Sequence, residues 1–110
     1  MNEAPRDRAR RAAEILRPHV ATVLAQIPEE IFTTRQYMLA FRERPETAAA
    51  YEQALALWGE ERRLGILALH GQVGPRVLRE SRLARWLGYV GNAALEDDGI
   101  HVPARWQKVR

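Results

Sequence analysis

The chain has 110 residues and a mass of 12.6 kDa, enough for one modest hydrophobic core and too little for two of ordinary size. With 46% hydrophobic and 28% charged residues, it holds enough apolar surface to offset the entropy of ordering, which places it among globular chains. The absence of cysteine excludes a disulfide scaffold, a thiol nucleophile and any Cys-ligated zinc or iron–sulfur centre. No uncharged apolar run approaches the roughly 20 residues that span a bilayer, and Met1 to Arg17 is charged, without the apolar stretch of a signal peptide. A soluble, cytoplasmic protein with no membrane partner is expected.

The formal net charge of +3 is unevenly placed: residues 1–17 carry five arginines against three acids, residues 18–75 five against seven, and residues 76–110 seven cations against four acids. Basic charge collects at the two ends. All cations but Lys108 are arginine, which the Ala-, Gly-, Pro- and Leu-rich composition of a GC-rich coding sequence explains. Their placement is what carries information.

In chain order, Ala9, Ala12, Ala13, Leu16, Val20, Val23, Leu24 and Ile27 recur at steps of three and four, one apolar stripe of a helical region from about Pro5 to Gln26. Pro18 predicts a kink or two segments meeting there, and Pro28 closes the region. Ile31-Phe32 is a short apolar pair. Thr33 with Gln36 makes a capping box for a helix through Arg44, with Tyr37, Met38 and Phe41 on its buried side. Pro45 ends that helix or opens the next, which runs to Gly59 with Tyr51, Ala54, Leu55 and Trp58 on one face. Glu60 to Arg63 reads as an exposed corner.

Leu64, Ile66, Leu67 and Leu69 resume an apolar helix that stops at His70-Gly71, and Gly71 to Pro75, with two glycines and a proline, predict a compact turn. A new helix, PRVLRESRLARWLGYV, begins at Pro75 or Arg76. Tyr89 to Asn92 and Ile100 to Val109 read as a two-stranded ribbon around the acidic loop Leu95 to Gly99, with Pro103 marking an edge strand. The expected fold is mainly α, with residues 1–30 as an N-terminal helical extension and residues 31–110 as a domain ending in a small antiparallel β-hairpin.

The helix from Arg76 carries the most pointed pattern. Val77, Leu83, Ala84 and Leu87 make its core face, while Arg79, Arg82 and Arg85 lie opposite or beside them, with Leu78, Trp86 and Tyr89 interleaved. Its only acid, Glu80, points to the core side. Arginines without carboxylates repel one another unless an anion lies against them, which favours a polyanionic partner. The guanidinium fork suits that work, gripping guanine O6 and N7 or two phosphate oxygens bidentately. The plainer alternative is a surface helix whose arginines pair with Glu60, Glu61, Asp97 or Asp98. A second basic cluster, Arg105, Trp106, Lys108 and Arg110, follows the acidic turn.

The capped helix Thr33 to Arg44, the turn Gly71 to Gly74, the Arg-rich helix from Arg76 and a wing made of Tyr89 to Val109 resemble the winged helix-turn-helix superfamily over about residues 31–110. The helix Thr47 to Trp58 is an insertion in that layout. The resemblance implies a regulatory double-stranded DNA-binding protein. Arg76, Arg79, Arg82, Arg85 and Tyr89 would serve a recognition helix in the major groove, and Arg105, Trp106, Lys108 and Arg110 would lie on the wing side that approaches the nucleic acid. Winged helices also dock proteins, so an adaptor using an apolar patch near Leu78, Trp86 and Trp106 is the alternative reading, and RNA binding a third.

Nothing in the sequence points to an enzyme, a metal or a cofactor. His19, His70 and His101 lack ligand spacing, with His70 better read as a helix C-terminal residue. Ser81 has no nucleophile elbow, the paired acids are adjacent and diverge, and Gly71 to Gly74 has neither the lysine nor the preceding strand of a phosphate loop. Arg6, Arg8, Arg10, Arg11 and Arg17, mixed with Asp7 and Glu14, fit the outer face of a packed helix. The stripe Leu16, Val20, Val23, Ile27 on its other side is the expected seam of a homodimer.

Overall fold

The structure, a computed structural model, describes residues 5–89 and 104–109. Helix α1 (Pro5–Leu16) passes through a 3₁₀ turn (Arg17–His19) into helix α2 (Val20–Gln26). The break falls at Pro18, which lacks an N–H and is accommodated in the first turn of a new segment. Strand β1 (Ile31–Thr33) leads into helix α3 (Thr34–Ala40). The expected capping box is present: the Gln36 N–H donates to Thr33 Oγ1 at 3.1 Å, and the Thr33 N–H donates to Gln36 Oε1 at 2.7 Å. Helix α3 ends at Ala40, short of Arg44.

Helix α4 (Pro45–Leu55) opens on its proline and tightens into a 3₁₀ turn (Ala56–Trp58) before the corner Gly59–Glu61. The buried hydroxyl of Thr47 donates to the Phe41 carbonyl at 2.6 Å, satisfying a group that the end of α3 leaves without a helical partner. Across the corner, Arg62 donates from both terminal nitrogens to the two carboxylate oxygens of Glu52, each at 3.1 Å. That hydrogen bonding holds the Glu52 carboxyl below its ordinary pKa.

Helix α5 (Arg62–Ala68) does not stop at His70-Gly71. It continues through a π-helical segment (Leu69–Val73) into helix α6 (Gly74–Ser81). The compact turn expected at Gly71 to Pro75 is therefore absent, and His70 lies inside a helical rod. The reason is local: Pro75 has no N–H for a carbonyl four residues back, and its ring needs room there. One wider turn supplies that room, with the Gly74 N–H bonded to Leu69 O five residues back. The Tyr51 hydroxyl meets His70 Nε2 at 2.8 Å and ties this segment to α4.

Strands β2 (Ala84–Tyr89) and β3 (Ala104–Lys108) complete an antiparallel sheet of order β1-β3-β2. The fold is thus mainly helical with a small three-stranded sheet. The second strand agrees with the ribbon expected over Ile100 to Val109; the first begins five residues earlier than Tyr89, because α6 ends at Ser81. The acidic segment Leu95 to Gly99 and Pro103 lie outside the described residues.

One hydrophobic cluster joins Ala12, Ala13 and Leu16 of α1, Val20, Val23 and Leu24 of α2, and Phe32, Tyr37, Ala54, Leu69, Val77 and Trp106 from the rest of the chain. The stripe expected to form a dimer seam is part of this cluster, so it offers no exposed apolar face. Leu83 and Leu87, expected in the core, are exposed, whereas Leu78, expected among the arginines, is fully buried. Ending the helix at Ser81 exchanges their roles. Among the described residues, no helix is long and apolar enough to cross a membrane.

Two substitutions test this packing. A Cβ added to Gly74 would lie 2.4 Å from Met38 Sδ and 2.9 Å from Leu69 O; the thioether can swing away but the backbone oxygen cannot. Gly74→Ala is expected to destabilise the protein by about 1–3 kcal/mol in urea unfolding. The Tyr37 hydroxyl is buried without a hydrogen-bond partner among the described residues, and burial pushes its pKa well above the usual phenol range. Removing it in Tyr37→Phe is expected to stabilise by up to about 1 kcal/mol. A drop in thermal midpoint would show that the hydroxyl is paired.

Candidate functional site

Helix α6 buries Gly74, Val77 and Leu78, and so turns Arg76, Arg79 and Glu80 outward. Glu80 does not face the core. It lies on the surface 3.5 Å from Arg76 and 3.5 Å from Arg17, so the one acid of the helix neutralises part of two cations. Arg79 is exposed and carries no ion pair among the described residues.

The helix stops through its own side chain. The Ser81 hydroxyl donates to Leu78 O at 2.6 Å and accepts from the Leu83 N–H at 3.1 Å. Arg82 follows in the left-handed conformation, with φ 60° and ψ 12°. Glycine usually takes this position after a helix, since a Cβ there is unfavourable. Arg82, Arg85, Trp86 and Tyr89, expected on the recognition helix, thus lie beyond it: Arg82 at the junction and the other three on β2.

The sheet sorts the remaining residues by face. Phe32, Trp106 and Trp86 stand opposite one another across the three strands, as do Ile31, Gln107 and Arg85. The first set faces the helices and the second faces outward, because side chains alternate along a strand. Trp106 is 1% exposed, and its indole N–H donates to Thr34 Oγ1 at 2.8 Å. It belongs to the core at the root of the hairpin and is not a contact residue. Arg85 donates from Nε and a terminal nitrogen to Gln107 Oε1 at 3.1 and 2.7 Å. Arg105 lies on the same outward face, opposite Gly88. Lys108 is half-buried and its ammonium donates to the Ile27 carbonyl, so it secures the end of α2. Arg110 lies outside the described residues.

The predicted site therefore divides. Arg79, Arg82, Arg85 and Arg105 gather around the α6–β2 junction and the outward sheet face; Arg76 is shared with Glu80; Trp106 and Lys108 are structural. Sequence reading gave Trp86 and Tyr89 to a helix and missed their place as an exposed aromatic pair, with ring centroids 5.5 Å apart. A signal was there to be read: Ala-Arg-Trp occurs at both 84–86 and 104–106, and the two tryptophans face each other in the paired strands. Among the described residues, no group of acidic or histidine side chains could hold a metal. No known protein family matches the chain, nor does any curated protein or solved structure.

Arg82→Gly tests the strain at the junction. Relieving the left-handed Cβ is worth about 1 kcal/mol, a rise of about 5 °C in thermal midpoint for a domain of this size. An unchanged or lower midpoint would mean that the arginine side chain compensates for its backbone.

Proposed function

We propose that this is a double-stranded DNA-binding protein of the winged-helix type, held to the duplex chiefly through phosphates. One observation carries the reading: Arg79 on the last turn of α6, Arg82 at its junction with β2, and Arg85 and Arg105 on the outward face of the sheet are exposed and without a carboxylate partner among the described residues. Surface arginines of a folded domain ordinarily mix with acids, and a cluster this uniform repels itself until phosphates neutralise it. The succession of α6, β2 and β3, with β1 completing the sheet, supports a helix followed by its wing. Because only the last turns of α6 are basic and the rest of the cluster lies on the sheet, backbone contacts outweigh base readout here.

A second reading has its own support. Leu83, Trp86, Leu87 and Tyr89 are all exposed along β2, and aromatic residues with arginine are enriched where proteins dock on one another. A protein adaptor would use that strip.

Salt separates the two. Each phosphate contacted adds about −0.9 to the slope of log affinity against log salt, so four arginines give roughly −3.6 on random-sequence duplex. Arg79→Ala with Arg82→Ala is expected to weaken binding more than about tenfold and to reduce the slope's magnitude by about 2. The thermal midpoint should not fall, since both side chains are exposed. A parent protein with no salt-dependent affinity for duplex DNA would favour the adaptor.

A further inference from the structure

Two arginines of the candidate site are held in opposite ways. Arg76 lies against the carboxylate of Glu80, which cancels part of its charge. Arg85 donates from Nε and a terminal nitrogen to Gln107 Oε1, at 3.1 and 2.7 Å, and the amide that fixes it is uncharged. The guanidinium is aimed without being neutralised. This hold engages two of its five N–H donors and leaves the others for an anion.

The sheet sets a second cation beside the first. Arg105 and Gln107 stand two residues apart on β3 and so share a face. Arg85 is opposite Gln107, which makes Arg85 and Arg105 diagonal neighbours on paired strands, within reach of one another's long side chains. The β2–β3 register shifts between Trp86 and Gly88, so the residue opposite Arg105 is a glycine. A Cβ built on Gly88 would meet nothing within 4 Å. The same shift returns Tyr89 to the face of Trp86, on the other side of the sheet from both arginines. What remains outward is an open lane between two exposed arginines, neither of which has a carboxylate partner among the described residues. Like charges this close repel until anions lie against them.

We infer that the outward sheet face seats one sugar-phosphate backbone of the duplex, with Arg85 and Arg105 each contacting a phosphate, and that Gln107 is the positioning residue that aims Arg85. The inference rests on the DNA reading above and assigns the duplex a particular seat. Glutamate at position 107 could grip Arg85 equally well, but it would cancel the charge that a phosphate needs.

The test titrates the full-length chain with random-sequence duplex at several salt concentrations, because charge and orientation leave different marks. Losing a phosphate contact lowers the magnitude of the salt slope, whereas losing only the aim of a cation weakens binding and spares the slope. Gln107→Leu is expected to weaken binding about two- to tenfold, the cost of ordering one long side chain, at an unchanged slope. In a chain already carrying Arg85→Ala, the same substitution should add nothing. Gln107→Glu, which keeps the acceptor and the strand, should lower the slope's magnitude by about 0.9, as should Arg85→Ala or Arg105→Ala alone. A poorly folding leucine variant therefore does not end the test. Parental affinity in Gln107→Leu overturns the positioning role. A parental slope in Gln107→Glu and in Arg105→Ala overturns the seat and leaves the DNA reading to Arg79 and Arg82. No salt-dependent binding by the parent overturns the DNA reading itself.

Discussion

Trp106 fixes the middle strand, and through it the placement of every group on the sheet. Phe32 registers on one side of it and Trp86 on the other, while its indole N–H holds the first turn of α3. Strand side chains alternate with a period of two, so a slip of one residue would exchange Trp106 for Arg105 or Gln107 beneath the helices. Burying an unpaired guanidinium there is prohibitive. The outward position of Arg85 and Arg105 is therefore the other side of one constraint, the burial of a single indole. Lys108 reinforces it from the strand end, where its backbone N–H bonds Glu30 O at 2.9 Å and its side chain reaches Ile27.

The second organising feature is the unbroken rod from Arg62 to Ser81. The π-helical segment lets the chain carry Pro75 within a helix, so α6 follows α5 without an intervening turn and packs Gly74 against Met38. A separate short helix set across a tight turn would have aimed Arg79 elsewhere. As built, the rod delivers Arg79 and Arg82 to the start of β2, and helix and sheet share one basic junction. The tight corner between helices lies instead at Gly59–Glu61, where Arg62 reaches back to Glu52.

Much of the helical part was legible because its signals are local. Pro18, the Thr33–Gln36 box and Pro45 each act within one turn, and the structure places breaks and starts at all three. The buried stripe of α1 and α2 was legible as a stripe; what covers it was not, since periodicity reports that a face is apolar and says nothing of its neighbour. Two misreadings share a cause. Gly71 to Pro75 carries turn residues, yet a wider helical turn accommodates the same proline. Ser81 to Tyr89 continues a helical period in its arginines and leucines, yet a serine hydroxyl and a left-handed arginine end the helix there, and neither leaves the usual mark of a glycine. Once the helix was run past Ser81, Leu83 and Leu87 fell in the core and Leu78 outside it, and the aromatic pair on β2 could not be seen. Arg79 and Arg82 stay at the end of α6 and its junction with β2 whichever way the following residues are wound, whereas Arg85 moves to the outward face of the sheet.

The bulge in β2 has a consequence for growth of the sheet. Among the described residues no strand covers the outer edge of β2, and an open edge bearing Trp86, Leu87 and Tyr89 is the kind of template on which chains stack into fibres. The register shift after Trp86 and the positive φ of Gly88 interrupt that template. An incoming strand could follow it without a break only over Ala84–Trp86, which carries Arg85, and the same arginine on an arriving copy would meet it with like charge. The irregularity that gathers two aromatic rings in water is also what keeps the edge they decorate from extending.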